Sequence, residues 1–576
     1  MTNTHWIVEG RIDPRWPINT RGNIGEVFPE VLTPLTYELA VKAAEAGWRE
    51  AYTTMGIHDR RDFSSDEPVI IGLYGGYGYL NLSYLRMLGV RAPGSSPQAI
   101  DVAFFGEGDP PPYEPRPGDR RLGATFKILR TVLRALGQDR LPDVVADSQA
   151  RVDRWEALQP DLATASDDVL LRYLHEYPVR FQPVFRNHMI TTGTAAIVSG
   201  VLSDAAAAAG RPGLVTKLLG AADEVVSAQY SQALWSIAQI VRRTPAVDAE
   251  FARGVAGLGD RLADLDEAAE LQAAFAGFIA AHGHRGPNDW ELSARTWENT
   301  PELAYAAIDR MRLSDHDLSP VHRIADTAAQ RAAAAEQVRP HVRGLDRINF
   351  RKALSSAPWW ARGREATRDL AIRFHNPARR TFFELARRAR DRGGVADLRD
   401  AAMLDPFTEL PDYVADPRRH VAAIAERVAL RDRFAAVTPP FFITSQDKVP
   451  SIEQMEAQQP TIVEHAPPGT VLTGASGCAG VARGRARIVL DPAEPGAFEP
   501  GDVLVAPLTD PAWTPLFLPA AAVVVNVGAL MSHAVIVSRE LGIPCVVAVD
   551  QATERIPEGA TIEVDGEQGT VLVVEH

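Results

Sequence analysis

Apolar residues recur at spacings of three and four from about Glu38 to Arg433, the signature of helices that each bury one face. Leu214 to Arg243 and Glu302 to Arg343 are two of the longest such runs. The Pro-rich stretch GEGDPPPYEPRPGDRR, Gly106 to Arg121, breaks the period and predicts a loop. At EHAPPGTVL, Glu464 to Leu472, the helical period stops and short runs rich in Val and Ile take over, bounded by Gly, Pro or Asp. They are Gly484 to Leu490, Asp502 to Leu508, Ala521 to Val527, Pro544 to Val549, Thr561 to Asp565 and Thr570 to Glu575, with one helix starting near Ser532. The pattern predicts a multidomain protein: a large, mainly α-helical domain over residues 1–463, open to subdivision, a linker over 464–472, and a compact α/β domain over 473–576.

Composition narrows the function classes. At 576 residues the chain exceeds one hydrophobic core, and 46% hydrophobic with 23% charged residues is ordinary for a globular protein. A formal net charge of −14 argues against binding nucleic-acid backbones, which takes clustered Lys and Arg. The two cysteines, Cys478 and Cys545, build neither a disulfide framework nor a Cys-based zinc site. With no leader pattern in MTNTHWIVEGRIDPRWP and no apolar run of spanning length, the expected location is cytoplasmic, away from membranes.

The chemistry concentrates in GALMSHAVIVSRELGIP, Gly528 to Pro544. Gly528 permits a tight turn after a strand, Ser532 is a favoured N-cap, and His533 falls in the first helical turn. Free amides and the helix dipole there favour an anion such as phosphate and disfavour an imidazolium, so His533 is expected to be neutral and nucleophilic. Arg539, one to two turns on, is a candidate to neutralise charge. Local physics alone favours a plainer role for His533, as part of a helix start in a structural β/α unit.

The whole stretch changes that weighting. SHAVIVSRELGIP, together with DPAWTPLF (Asp510 to Phe517), resembles the mobile phosphohistidine domain of the phosphoenolpyruvate-utilising enzyme family, over the last hundred or so residues. Two departures are Ala529, where a second Gly is usual, and Ser538, where Ala is usual. The resemblance implies a swivelling domain that carries phosphate on His533 between a donor and an acceptor site. No ATP-grasp pattern and no downstream TIM barrel are found, which disfavours phosphoenolpyruvate synthesis.

Upstream, NIGEVFPEVLTPLT (Asn23 to Thr36), SAQYSQALWSIA (Ser227 to Ala238), GHRGPNDWELSARTW (Gly283 to Trp297) and REATR (Arg364 to Arg368) resemble, in that order, the acceptor-binding domain of rifampin phosphotransferases. The family's last motif ends in Lys where this chain has Arg368, a fork in place of a point donor. The resemblance suggests Arg285, Arg364 and Arg368 as clamps on the phosphoryl oxygens, and His284 or Glu365 as the group that orients or deprotonates an acceptor hydroxyl. Tyr230, Trp235, Trp290 and Trp297 are candidates to line an apolar acceptor pocket. The competing readings are a buried helix-end network for His284 and Arg285, at even odds, a helical ion pair of Glu365 with Arg368 or Arg362, and core packing for the aromatics. GLYGGYGYLN, Gly72 to Asn81, lacks the Lys-Ser/Thr of a phosphate loop and reads as a strand or turn.

The combination is similar to phenylphosphate synthase, where donor and acceptor parts lie on separate subunits. It implies a split dikinase in which a separate ATP-grasp subunit, holding ATP and Mg2+, phosphorylates His533, and the acceptor is a small phenolic compound. An antibiotic hydroxyl of the rifamycin type and a non-catalytic binding or regulatory protein are the alternatives.

Overall fold

The computed structural model describes residues 11–63, 67–92, 95–105, 110–211, 213–219, 226–313, 320–458, 463–492, 496–509, 513–528 and 532–575. Two long helices, Tyr177–Ala208 and Gly344–Asp391, pack along each other and form the spine of the helical part. Lys42–Met55 lies on the first of them, and Gly47 allows the contact, because a Cβ there would sit 2.6 Å from the carbonyl oxygen of Gln182. By length and composition one stretch among the described residues, Asp167–Ala208, would span a membrane, yet 50% of its most apolar window is buried inside the fold. Its apolarity is that of a core helix, with Phe181, Val184, Leu202 and Ala206 buried against neighbours.

A small sheet joins sequence-distant segments: β1 (Asn19–Thr20), β2 (Ile71–Tyr74), β3 (Tyr77–Asn81) and β4 (Phe442–Ile443), in the order β2-β3-β1-β4. GLYGGYGYLN is a β-hairpin whose turn residues Gly75 and Gly76 have φ of 54° and 76°, the left-handed region a two-residue hairpin turn requires.

The C-terminal part is an eight-stranded mixed sheet in the order β5-β12-β11-β7-β8-β9-β10-β6. Its strands are β5 (Val471–Thr473), β6 (Ala475–Cys478), β7 (Val481–Ile488), β8 (Val503–Ala506), β9 (Ala522–Val525), β10 (Cys545–Val547), β11 (Thr561–Asp565) and β12 (Thr570–Glu575). Strands β7 to β10 are mutually parallel, and β8, β9 and β10 are buried throughout, as expected for strands covered on both faces. β5 and β6 are absent from the sequence prediction, because LTGASGCAG offers little branched apolar content to mark them, and β5 takes up the end of the expected linker.

Within the long helical runs, Leu214–Leu219, Val226–Arg243, Glu302–Leu313 and Pro320–Val338 are helical, and residues 220–225 and 314–319 lie outside the described residues. Residues 106–109 of the Pro-rich loop and 529–531 of the histidine stretch, Ala529 included, lie outside the described residues.

One core crosses the junction of the two parts. Tyr230, Leu234, Phe278, Trp297 and Ile308 of the helical part share a continuous buried cluster with Trp513, Phe517, Val535 and Val537 of the C-terminal part.

Candidate active site

The carboxyl ends of parallel strands gather functional side chains because the loops leaving them open into a crevice. Thr509 follows β8, Thr514 opens the short helix Thr514–Phe517, and His533 follows β9 at the start of the helix His533–Leu541. Ser532 caps that helix with extended backbone (φ −70°, ψ 160°) and accepts a hydrogen bond from the Val535 amide at 3.4 Å. Gly528 has no positive φ; it is needed because a Cβ would lie 2.8 Å from Cβ of Val547.

The imidazole of His533 is held at both nitrogens. Nδ1 meets Thr509 Oγ1 at 3.1 Å and Nε2 meets Thr514 Oγ1 at 3.2 Å, and each hydroxyl can donate or accept as the tautomer requires. Burial, then the cations Arg368 and Arg285, hold its pKa well below the usual histidine range. His533 is therefore neutral, as the sequence suggests, but the larger causes are its burial and two arginines from the other part of the chain.

Those arginines are close because the two parts are docked. The backbone amide of His533 points at Oε2 of Glu26 at 3.4 Å, and the Tyr230 hydroxyl lies 3.5 Å from Thr514 Oγ1. Thr514 Oγ1, the partner of Nε2, thus also reaches the helical part. Glu26 sits in the short helix Ile24–Val27, and buried Arg21 clamps the following turn by donating to the carbonyls of Gly78 and Phe28 at 2.7 and 3.0 Å. Burial pushes the Glu26 carboxyl up to about 8, against the pull of the His533 amide and Arg368.

GHRG builds a charge network. Arg285 pairs with Asp369 at 2.9 Å and with Asp289 at 2.8 Å, and His284 Nε2 meets Asp369 at 3.1 Å. Burial opposes the charge of both Arg285 and Asp369, but Asp289 and then Asp369 raise the arginine pKa, and His284 and then Arg285 lower that of the Asp369 carboxyl. Gly286 is required because a Cβ would be 2.4 Å from the Arg295 carbonyl oxygen. Glu291 of the same stretch accepts from Thr33 Oγ1 at 2.7 Å and from Thr36 Oγ1, which ties GHRGPNDWELSARTW to NIGEVFPEVLTPLT.

REATR lies on Gly344–Asp391. Glu365 is buried and pairs with Arg364 at 3.0 Å, so its partner is neither Arg368 nor Arg362. Arg368 is half-buried and makes no recorded hydrogen bond or ion pair among the described residues, although its charge acts on Glu26, His188, Tyr230 and His533. Arg539 is buried within the C-terminal part and donates to the Gly477 carbonyl at 3.3 Å; it is not among the charges acting on His533.

The four aromatic candidates do not form one wall. Tyr230 stacks edge-on with Trp297 at 5.6 Å and under Arg285 at 5.7 Å. Trp235 lies five positions on, about 140° around the same helix. Trp290 belongs to a different core, against Phe185, His188 and His375. All four are buried, and Tyr230 reaches the His533 surroundings through Thr514.

Sequence reasoning passed over Glu26, Thr509, Thr514, Asp289 and Asp369. Glu26 and Thr514 lie inside stretches already singled out, NIGEVF and DPAWTPLF, but nothing in either shows that the two meet at His533.

Residues 498–569 match the family model of the PEP-utilising enzyme mobile domain, and residues 183–367 match that of the rifampicin phosphotransferase fourth domain. Two segments of the chain thus resemble domains of the PEP-utilising enzyme family, the helical one being similar to the fourth domain of rifampicin phosphotransferases. An uncharacterized protein of Mycobacterium tuberculosis is 31% identical over 593 residues, covering 98% of this chain and 62% of that protein. The prodigiosin synthesizing transferase PigC of Serratia marcescens is 27% identical over 582 residues, 96% of this chain and 63% of that protein. The rifampicin phosphotransferase of Streptomyces sviceus is 29% identical over 359 residues, 61% of this chain and 40% of that protein. The chain thus spans less than two thirds of the length of each.

Proposed function

We propose that this chain is a phosphotransferase that carries a phosphoryl group on Nε2 of His533 and delivers it to the hydroxyl of a small aromatic compound, as the acceptor component of a split dikinase. ATP and Mg2+ belong to a separate ATP-grasp subunit that loads the histidine. The observation that carries this reading is the setting of His533: a neutral ring, held between two threonine hydroxyls, with Nε2 linked to Tyr230 through Thr514 and in the field of Arg285 and Arg368. A neutral imidazole has the lone pair that attacks phosphorus, and cations nearby stabilise the charge spread over the transferring group. On discharge the Nε2–P bond breaks, an O–P bond forms, and the nitrogen keeps the electron pair.

Arg368 is the clamp best supported, because its guanidinium has no recorded partner among the described residues to give up. Arg285, already paired with two carboxylates, supplies field and position, and His284 and Arg364 hold the surrounding network.

Purified protein, ATP, Mg2+ and a candidate ATP-grasp protein should yield acid-labile phosphate on the wild type and none on His533→Ala. Equal labelling of the variant would end this reading. A rifamycin hydroxyl as acceptor is supported about as well, by the fourth-domain match and the rifampicin phosphotransferase relatives. Phosphorylation of a rifamycin and not of phenol by the loaded protein selects it.

A further inference from the structure

The acceptor hydroxyl has to lose its proton as the O–P bond forms, so the site needs a base. The two groups suggested by sequence are committed elsewhere. Glu365 is held by Arg364 at 3.0 Å, and His284 spends Nε2 on Asp369 at 3.1 Å. His188, a histidine in the field of Arg368 and Arg364, shares Nδ1 with Thr367 at 3.2 Å. Asp369 is shared between His284 and Arg285.

Glu26 differs from all of these. One carboxylate oxygen, Oε2, accepts from the backbone amide of His533, which fixes the carboxylate beside the histidine. The other, Oε1, is buried and has no hydrogen-bond partner among the described residues, which is costly for a carboxylate. The charge that acts on it is that of Arg368 from Gly344–Asp391, while His533 across the junction contributes its backbone amide. It is carried by a turn that Arg21 pins from beneath through Gly78 and Phe28.

We propose that Glu26 is the catalytic base of the transfer, with Oε1 as the atom that takes the acceptor proton; the proposal rests on the carrier role of His533. The acceptor O–H bond breaks and its proton passes to Oε1. The oxygen forms the new bond to phosphorus while the Nε2–P bond breaks. The proton then passes from Glu26 to the ring, so His533 leaves neutral, no net proton is released and Glu26 is ready again. The raised affinity of this carboxyl for a proton, up to about 8, makes it a stronger base than an ordinary carboxylate once it is deprotonated.

The test uses the full chain loaded at His533 with phosphoramidate, which phosphorylates histidine rings without a partner protein, with phenol as the probe acceptor. The readout is the rate at which acid-labile phosphate leaves the protein, to phenol and water together. Glu26→Gln is expected to load to the wild-type level and discharge about 100-fold more slowly, with Glu26→Asp recovering part of the rate. The wild-type rate should rise with pH through about 8 and the Glu26→Gln rate should be flat. Discharge of Glu26→Gln at the wild-type rate with the wild-type pH profile overturns the proposal and leaves the carrier reading standing. Loading and discharge that fall together make Glu26 a docking contact and equally overturn it. Labelling of His533→Ala to the wild-type level takes down both.

Discussion

Thr514 links the two parts of the chain: its hydroxyl reaches Nε2 of His533 on one side, at 3.2 Å, and the Tyr230 hydroxyl on the other, at 3.5 Å. A residue from the C-terminal sheet domain and one from the helical domain thus address the same ring nitrogen through one oxygen. Tyr230→Phe removes the hydroxyl and keeps the ring that packs on Trp297. It should leave loading of His533 unchanged and slow discharge to an acceptor about 10-fold, read as acid-labile phosphate over time, since one net hydrogen bond is worth about 1 kcal/mol and more when a buried partner is stranded.

Thr514→Val is expected to do more. It strands Nε2 and Tyr230 together, so both loading and discharge should fall, by about 10- to 100-fold. Thr509→Val, at Nδ1, should lower loading and free the ring to turn. NMR of the imidazole would then show the change in tautomer population.

Asp369 serves both His284 and Arg285, so Asp369→Ala leaves a buried cation short of a partner. Removing one member of a buried ion pair costs about 3–5 kcal/mol, measured as a lower urea midpoint. A loss below about 1 kcal/mol would mean that Asp289 alone holds Arg285.

Gly286→Ala should destabilise by about 1–3 kcal/mol, because its Cβ would lie 2.4 Å from the Arg295 carbonyl, a backbone atom with no freedom to move aside. The same change displaces His284 and Arg285, so transfer should fall in step with the loss of stability.

Stability should decline below neutral pH. Burial is the first cause that lowers the pKa of His58 to about 4, of His188 to about 3, and of His375 and His533 well below the ordinary value. The unfolded chain takes up these protons as pH falls through about 6.5 and the folded chain does not, so the stability is full above that value and is lost progressively towards pH 4. Glu26 works the other way, since its raised carboxyl favours the folded state below about 8. Each histidine contributes about 1.4 kcal/mol per pH unit in that window. His188→Gln should flatten the urea midpoint between pH 6.5 and 4 by one proton's worth, and an unchanged slope would show that His188 is charged in the fold.

How much of this was legible in the sequence varies with the range of the interaction. The strands β11 and β12 and the capped helix at His533 follow from local alternation and from Ser532, and the structure has them where the pattern puts them. β6 escapes because ASGC carries its pairing in backbone bonds to β10, with no side-chain period to mark it. The partner of Glu365 was misjudged because helical spacing offers Arg368 and Arg362, while side-chain geometry selects the adjacent Arg364.

By itself the sequence determined which residue is proposed as the carrier: a histidine at the start of a capped helix, after a Val-rich strand, in a stretch specific enough to mark the domain. The tertiary structure alone decided what surrounds it. Glu26 lies 507 positions from His533, and Arg285 and Arg368 arrive from two further elements. No local pattern encodes those distances, because they are set by the core that Tyr230, Trp297 and Phe278 share with Trp513 and Val535.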